Sequence, residues 1–286
     1  MNGEVQRINL DDYVQTGEGG TALTYNNKDG KTLAKLFMSS VAADNAAREF
    51  HVNQVVYESG LPTPKPIRLI TDGTRFGAEY ELISPKRSFT RIISQEPDQL
   101  VPLSERFAVL AKKIHETPAD TRRLPDMKVL AGSWIDRFEA LPDVWKERFH
   151  RFLDSVPSTQ TCLHGDLHIG NIITDGSRDL WIDVGDFAYG VPQWDLSLMY
   201  YSANFMTAER ADNIFHLDLP TLKAHWDAFA PVYYGTDSKE ALETEVRRLY
   251  PFIATKIAFL VSKLGNGKGA VSDALLNMFD QYMTER

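Results

Sequence analysis

Apolar and polar positions alternate in short runs over the first eighty residues and take on a helical period afterwards. Residues 32–38 (TLAKLFM) follow Asn27-Lys28-Asp29-Gly30, a strong hairpin turn, so Thr24-Tyr25 closes the partner strand. Residues 44–58 carry Ala47, Phe50, Val55 and Tyr57 roughly on one side, with Gly60 just past the end, and predict a helix. Pro62, Pro64 and Pro66 then break the chain before two more strands, 67–71 and 75–82, parted by Asp72-Gly73. Beyond Ser84-Pro85 the period lengthens. Leu103, Phe107, Leu110 and Ile114 mark a helix over 103–115, and a second helical region over 134–154 is interrupted near Pro142. A later helix over 237–250 opens on Asp237 and Glu240, spaced as a capping box. Pro251 should kink it, and Gly265 should cap its continuation. The pattern therefore divides the chain into a β-rich part, 1–83, and a helical part, 84–286, joined by a connector at about residues 80–88.

Composition narrows the class of protein. A chain of 286 residues, 43% of them hydrophobic, can bury one large domain or two lobes. The net charge of −8 leaves no basic footprint for nucleic acid. Cys162 is the only cysteine, which rules out an internal disulfide and suits a reducing compartment. The opening residues, MNGEVQRINLDD, hold no apolar signal core, and no apolar run reaches the length of a membrane span. The expectation is a soluble, cytoplasmic protein with no membrane partner.

The chemistry concentrates in LHGDLHIGNII, residues 163–173. His164, Asp166, His168 and Asn171 crowd between apolar flanks, where the plain reading is a polar turn between strands. Ten residues on, LWIDVGDF reads as a short buried strand (Leu180, Trp181, Ile182) ending in Asp183-x-Gly185. Held together, Asn171 and Asp183 supply the hard oxygen ligands that Mg²⁺ takes alongside substrate phosphates. Asp166 is left to orient or deprotonate a hydroxyl attacking a γ-phosphate.

HGDLHIGN followed by IDVG resembles the catalytic and metal-binding loops of the aminoglycoside phosphotransferase and choline kinase group, relatives of the protein kinases. The resemblance implies a bilobal α+β fold, with a small antiparallel sheet and one main helix in the first lobe and a mostly helical second lobe. It implies ATP and Mg²⁺ as cofactors and a small molecule as phosphoryl acceptor. On it, TGEGGTA (16–22) becomes a partial glycine-rich phosphate loop through Gly17, Gly19 and Gly20, with Ala22 at the place of a third glycine. Lys35, otherwise the solvent side of an edge strand, becomes the lysine on the α- and β-phosphates, and Glu49 the carboxylate that positions it. The Glu81 carbonyl and Ile83 N–H become the hinge contacts to adenine. His164 fixes the catalytic loop, and His168 either stabilises the transferring charge or is an ordinary loop histidine. Asp195, whose plain reading is a helix N-cap, braces the loop backbone.

Three rival readings stand beside this one. Alternating His164, Asp166 and His168 could face one way on a strand as a hydrolase's transition-metal cluster, though the other histidines are scattered. A protein kinase would need a long activation segment, and only twelve residues separate Asp183 from Asp195. A catalytically silent kinase-like binding protein would be expected to have lost the lysine, base or metal ligands. For the acceptor, residues 183–286 carry 14 acidic and 9 basic side chains, a balance that suits a cationic molecule such as an amino sugar or choline-like amine. Trp194, Trp226, Tyr233 and Tyr234 could offer aromatic faces to it, or simply form core.

Overall fold

The computed structural model describes residues 5–18, 21–38 and 43–284. Its strands are β1 (Gln6–Arg7), β2 (Tyr13–Glu18), β3 (Ala22–Asn27), β4 (Thr32–Phe37), β5 (Pro66–Thr71), β6 (Phe76–Glu81), β7 (Arg87–Ser88), β8 (Cys162–Leu163), β9 (Ile172–Thr174), β10 (Asp179–Trp181) and β11 (Ala188–Tyr189). Its helices are α1 (Ala43–Glu58), α2 (Phe89–Gln95), α3 (Leu100–Glu116), α4 (Met127–Arg137), α5 (Asp143–Ser155), α6 (Gln193–Asn204), α7 (Ala208–Phe215), α8 (Leu219–Tyr234), α9 (Lys239–Leu264) and α10 (Asp273–Thr284). They form two compact units, residues up to 88 with 171–186, and residues 89–170 with 187 onward. The segment 171–186 therefore groups with the strand-rich part rather than with its own neighbours in sequence. Backbone pairing accounts for this: β9 pairs with β7, Trp181 N–H donates to Pro62 C=O at 2.8 Å, and Thr63 Oγ1 donates to Trp181 C=O at 2.9 Å.

The first unit is a six-stranded sheet in the order β1-β5-β6-β4-β3-β2, antiparallel except for the β1–β5 pair. The β3–β4 turn passes through Gly30 at φ 73°, a left-handed conformation that glycine adopts without penalty. Alternation along β4 sends Ala34 and Leu36 to one face, where they pack with Ile8, Tyr13, Tyr25 and Ile70. Each large side chain so buried contributes about 1.5–3 kcal/mol. Lys35 and Leu33 take the other face. On the first face Glu79, 1% exposed, accepts from Tyr13 Oη at 2.8 Å and Thr32 Oγ1 at 2.7 Å and pairs with Arg68 Nε at 2.7 Å. That network satisfies a carboxylate which burial would otherwise penalise. Helix α1 lies against β5 and β6 and buries Ala46, Phe50, Val52, Asn53, Val55 and Val56. The buried stripe is rotated from the one the sequence predicts. Tyr57 faces solvent, while Ala46 and Phe50 pack on the sheet and Val52 and Val56, one turn apart, are buried.

The second unit is helical. Helix α3 packs on α8, α6 on α8 and α9, and α4 and α10 on α9. The predicted interruption near Pro142 is the break between α4 and α5. The expected capping box is not the one used. Helix α9 starts at Lys239 with Ser238 as its cap, whose Oγ accepts from Ala241 N–H at 3.3 Å. The helix continues through Pro251 to Leu264, and Gly265 follows it as the C-cap. The architecture is thus the expected α+β arrangement of a small sheet unit and a larger helical one. Among the described residues no helix is long and apolar enough to cross a membrane.

Candidate functional site

Within the first unit a cavity of about 330 Å³, the size range of small-ligand sites, opens on the Lys35 face of the sheet. Leu33, Ile83, Ile173 and Ile182 supply apolar walls, and Lys35, Glu49, Lys86 and Asp183 the charges. Lys35 Nζ lies 3.0 Å from Glu49 Oε1 and 2.9 Å from Asp183 Oδ1. Burial alone would weaken its charge. The Asp183 and Glu49 carboxylates more than offset that and hold the ammonium well above the usual lysine range. The strand carrying Lys35 is pressed against β6 at a position only glycine can fill, since a Cβ on Gly77 would fall 1.9 Å from the Lys35 carbonyl oxygen.

Hairpin geometry brings Asn171 and Asp183 to one place. In the β9–β10 ladder Trp181 pairs with Ile172, and Ile182 N–H donates to Asn171 C=O at 3.0 Å, so both residues sit at the open end of the hairpin. Asp183 adopts φ 52°, a left-handed conformation that aspartate tolerates better than most residues. Gly185 then lets α1 approach. A Cβ there would stand 2.6 Å from Glu49 Cγ, so this glycine and the Lys35–Glu49 pair are one steric unit. Two protein oxygens, one amide and one carboxylate, fit a hard cation that draws its remaining ligands from phosphate and water.

In the connector after β6, Glu81 and Leu82 donate their N–H groups to the Lys65 and Lys31 carbonyls, whereas the Ile83 N–H has no hydrogen-bond partner among the described residues. The Glu81 side chain is tied elsewhere, to Arg178 Nη2 at 3.2 Å. Gly17 lies in β2 opposite Thr24, and a Cβ on it would meet Thr24 Oγ1 at 2.6 Å. Thr21, Ala22 and Thr24 from the following strand line the cavity. Gly19 and Gly20 lie outside the described residues.

The second unit carries Asp166 and His168 on the loop after β8. Asp195 is inside α6, not at its cap, and its carboxylate accepts from His164 N–H at 2.7 Å and Gly165 N–H at 2.9 Å. His115 Nε2 stands 3.0 Å from Asp195 Oδ2, and its Nδ1 2.7 Å from Tyr233 Oη. Lys256, buried in α9, donates to the Gly165 carbonyl at 2.7 Å. Gly170 N–H donates to His168 Nδ1 at 3.1 Å, which leaves the proton of a neutral imidazole on Nε2, 3.7 Å from Asp166 Oδ2. Burial opposes ionisation of Asp166, yet His168 first, then His164 and Lys256, hold its carboxyl well below the ordinary range. His164 is fully buried, with its ring 5.2 Å from that of Phe187. Among the described residues no group of three or more His, Cys, Asp or Glu side chains could hold a metal ion, so the alternating His164, Asp166 and His168 do not form the metal cluster weighed above.

Sequence reasoning passed over Lys86, Gly185 as a packing residue, His115 and Lys256. Lys86 was visible as a charge beside the hinge. The other three depend on partners 49, 195 and 165, which no local pattern links to them. Of the aromatic residues, Trp194 is fully buried core and Tyr233 is engaged with His115. Trp226 borders a separate cavity of about 500 Å³ in the second unit, together with Tyr200, Tyr250 and Asp227.

Comparison with known proteins gives the family and the fold. The model of the phosphotransferase enzyme family (APH) matches residues 13–232. No curated protein matches the chain. Among solved structures, an ethanolamine kinase from Plasmodium vivax superposes with a TM-score of 0.60 at 15% identity, covering 96% of this chain and 82% of that one. The gentamicin complex of APH(2")-IIa gives 0.57 at 16%, covering 96% and 90%. A choline/ethanolamine kinase family protein from Mesorhizobium loti gives 0.54 at 16%, covering 95% and 85%. These likenesses carry the kinase-like bilobal fold, and the family match carries the class of reaction. The chain belongs to the APH phosphotransferase enzyme family and is a small-molecule kinase.

Proposed function

We propose that the protein transfers the γ-phosphoryl group of ATP to a hydroxyl of a small, amine-bearing molecule. The observation that carries this reading is Lys35, held at hydrogen-bond distance from both Glu49 and Asp183 in an apolar-walled cavity beside the Ile83 N–H, which has no partner among the described residues. Adenine would lie between Leu33, Ile173 and Ile182, with its edge on the Glu81 carbonyl and the Ile83 N–H. Lys35, kept charged by its carboxylates, would hold the α- and β-phosphates, and Glu49 would fix its direction. Asn171 and Asp183 would hold Mg²⁺, which when bound supplies neutralisation of the phosphate charge.

Asp166 would accept a hydrogen bond from the acceptor hydroxyl and aim its oxygen. A carboxylate held below its ordinary range is a weaker base than a free one, so its part is orientation first. It takes the proton only once the new O–P bond has made that proton acidic, which suits a loose transition state. The amine in the acceptor is inferred from the acidic balance of residues 183–286.

The test is an ADP-release assay with MgATP against aminoglycosides, choline, ethanolamine, hexoses, methylthioribose and homoserine, with Asp166→Ala as the blank. Stimulation by an amine-bearing class, absent in the blank, is the expected result. Stimulation by hexoses alone would overturn the amine, and undiminished turnover in Asp166→Ala would overturn the role of Asp166.

A further inference from the structure

Helix α9 sends one charged group into the interior. Lys256 is 2% exposed, its Nζ donates to the Gly165 carbonyl at 2.7 Å, and it lies 5.2 Å from the Phe259 ring centroid. A buried ammonium gives up its hydration, and an apolar side chain of similar volume commonly serves stability as well or better. Its placement has another consequence. Gly165 is in the left-handed region at φ 82°, and the peptide on its C-terminal side leads into Asp166. Asp195 takes the N–H groups of 164 and 165, and Lys256 takes the carbonyl of 165. Two buried side chains of opposite charge thus fix consecutive peptide planes, the second being the one from which the Asp166 side chain departs.

We propose that Lys256 is a positioning residue for phosphoryl transfer, a cation delivered from α9 that locks the 165–166 peptide and so sets the direction of the Asp166 carboxylate. The inference rests on the reading of Asp166 given above. His168 and His164 also act on that carboxylate, and the group that binds the 165 carbonyl is Lys256.

The full-length protein carrying Lys256→Met is compared with wild type. A misdirected catalytic group costs on the order of 10²-fold, so kcat should fall by about that factor. KM for ATP and the thermal shift induced by MgATP should stay at wild-type values, and Lys256→Arg should recover part of kcat. A kcat within threefold of wild type overturns the proposal, as does a fall in kcat accompanied by loss of the MgATP shift. If Lys256→Met does not fold, Lys256→Leu, which likewise removes the donor, is read by the same criteria. Amide exchange of the ligand-free protein supplies an arm that needs no turnover. Exchange at 164–166 should quicken at least tenfold in the variant with α1 unchanged, and unchanged exchange at 164–166 overturns the proposal whatever kcat does. A wild type that transfers phosphate to no acceptor would remove the proposed function while leaving this arm to decide on Lys256.

Discussion

Gly185→Ala is the substitution that best separates packing from chemistry at this site. Its new methyl would stand 2.6 Å from Glu49 Cγ and 2.9 Å from Cδ, inside any real contact distance. The clash falls on the middle of the Glu49 side chain, so the carboxylate has to swing out of its 3.0 Å bond with Lys35. Overpacking of this kind costs about 1–3 kcal/mol of stability. The functional loss is a hydrogen bond between charged groups, about 1.5–3 kcal/mol, which becomes about 10- to 150-fold in kcat/KM. Steady-state ADP release measures it, and MgATP-induced thermal shifts report whether the nucleotide still binds. The decisive comparison is a double-mutant cycle. With Glu49→Ala already in place the three atoms nearest the methyl are gone, so Gly185→Ala should cost less than about threefold more. Wild-type kcat/KM in Gly185→Ala, or fully additive losses in the cycle, would refute the claim that Gly185 acts through Glu49.

Other expectations follow from the same geometry. Lys86→Ala removes a cavity-lining cation without disturbing packing and should raise KM for ATP about three- to tenfold, the effect of one exposed charge, with kcat unchanged; an unaltered KM would exclude Lys86 from the nucleotide site. Asp195 carries a carboxyl depressed below its ordinary range, with burial opposing and His115 leading the opposite effect. A depressed folded value means that its stabilising contribution is complete above about pH 4, the unfolded value, and is lost as pH falls toward the folded one. Asp195→Asn should therefore unfold at a lower temperature at pH 7 and lose less on going from pH 5 to pH 3; parallel pH curves for variant and wild type would contradict this.

What could be read from the chain was whatever sits in one local pattern. The β3–β4 hairpin, the Lys35 strand, α1 with Glu49 and the two polar loops each announce themselves within about fifteen residues. Side-chain rotation about a helix is harder to read, because both Tyr57 and Val56 satisfy the apolar period and only the tertiary packing of α1 decides which is buried. Caps are similar. Asp237 and Ser238 are both competent, and the one whose oxygen reaches Ala241 N–H takes the role. Lys256 was beyond reach, since in KIAFL it is one more lysine on an amphipathic helix and its partner lies 91 residues earlier. His115 is concealed for the same reason, 80 residues from Asp195.

The two-part composition of the sheet unit bears on how the protein is made. Synthesis runs from the N-terminus, so strands β1 to β6 can pair long before β9 and β10 exist. Strand β7 still lacks its partner, Thr63 lacks the Trp181 carbonyl, and the place of Asp183 beside Lys35 is empty. At roughly 5–20 residues per second, the ribosome needs on the order of 5–20 s to move from β7 to the end of β10. The part of the molecule that emerges first is for that interval a nascent sheet with an unfilled cavity, and its lysine acquires its second carboxylate only when a hairpin encoded nearly a hundred codons later arrives.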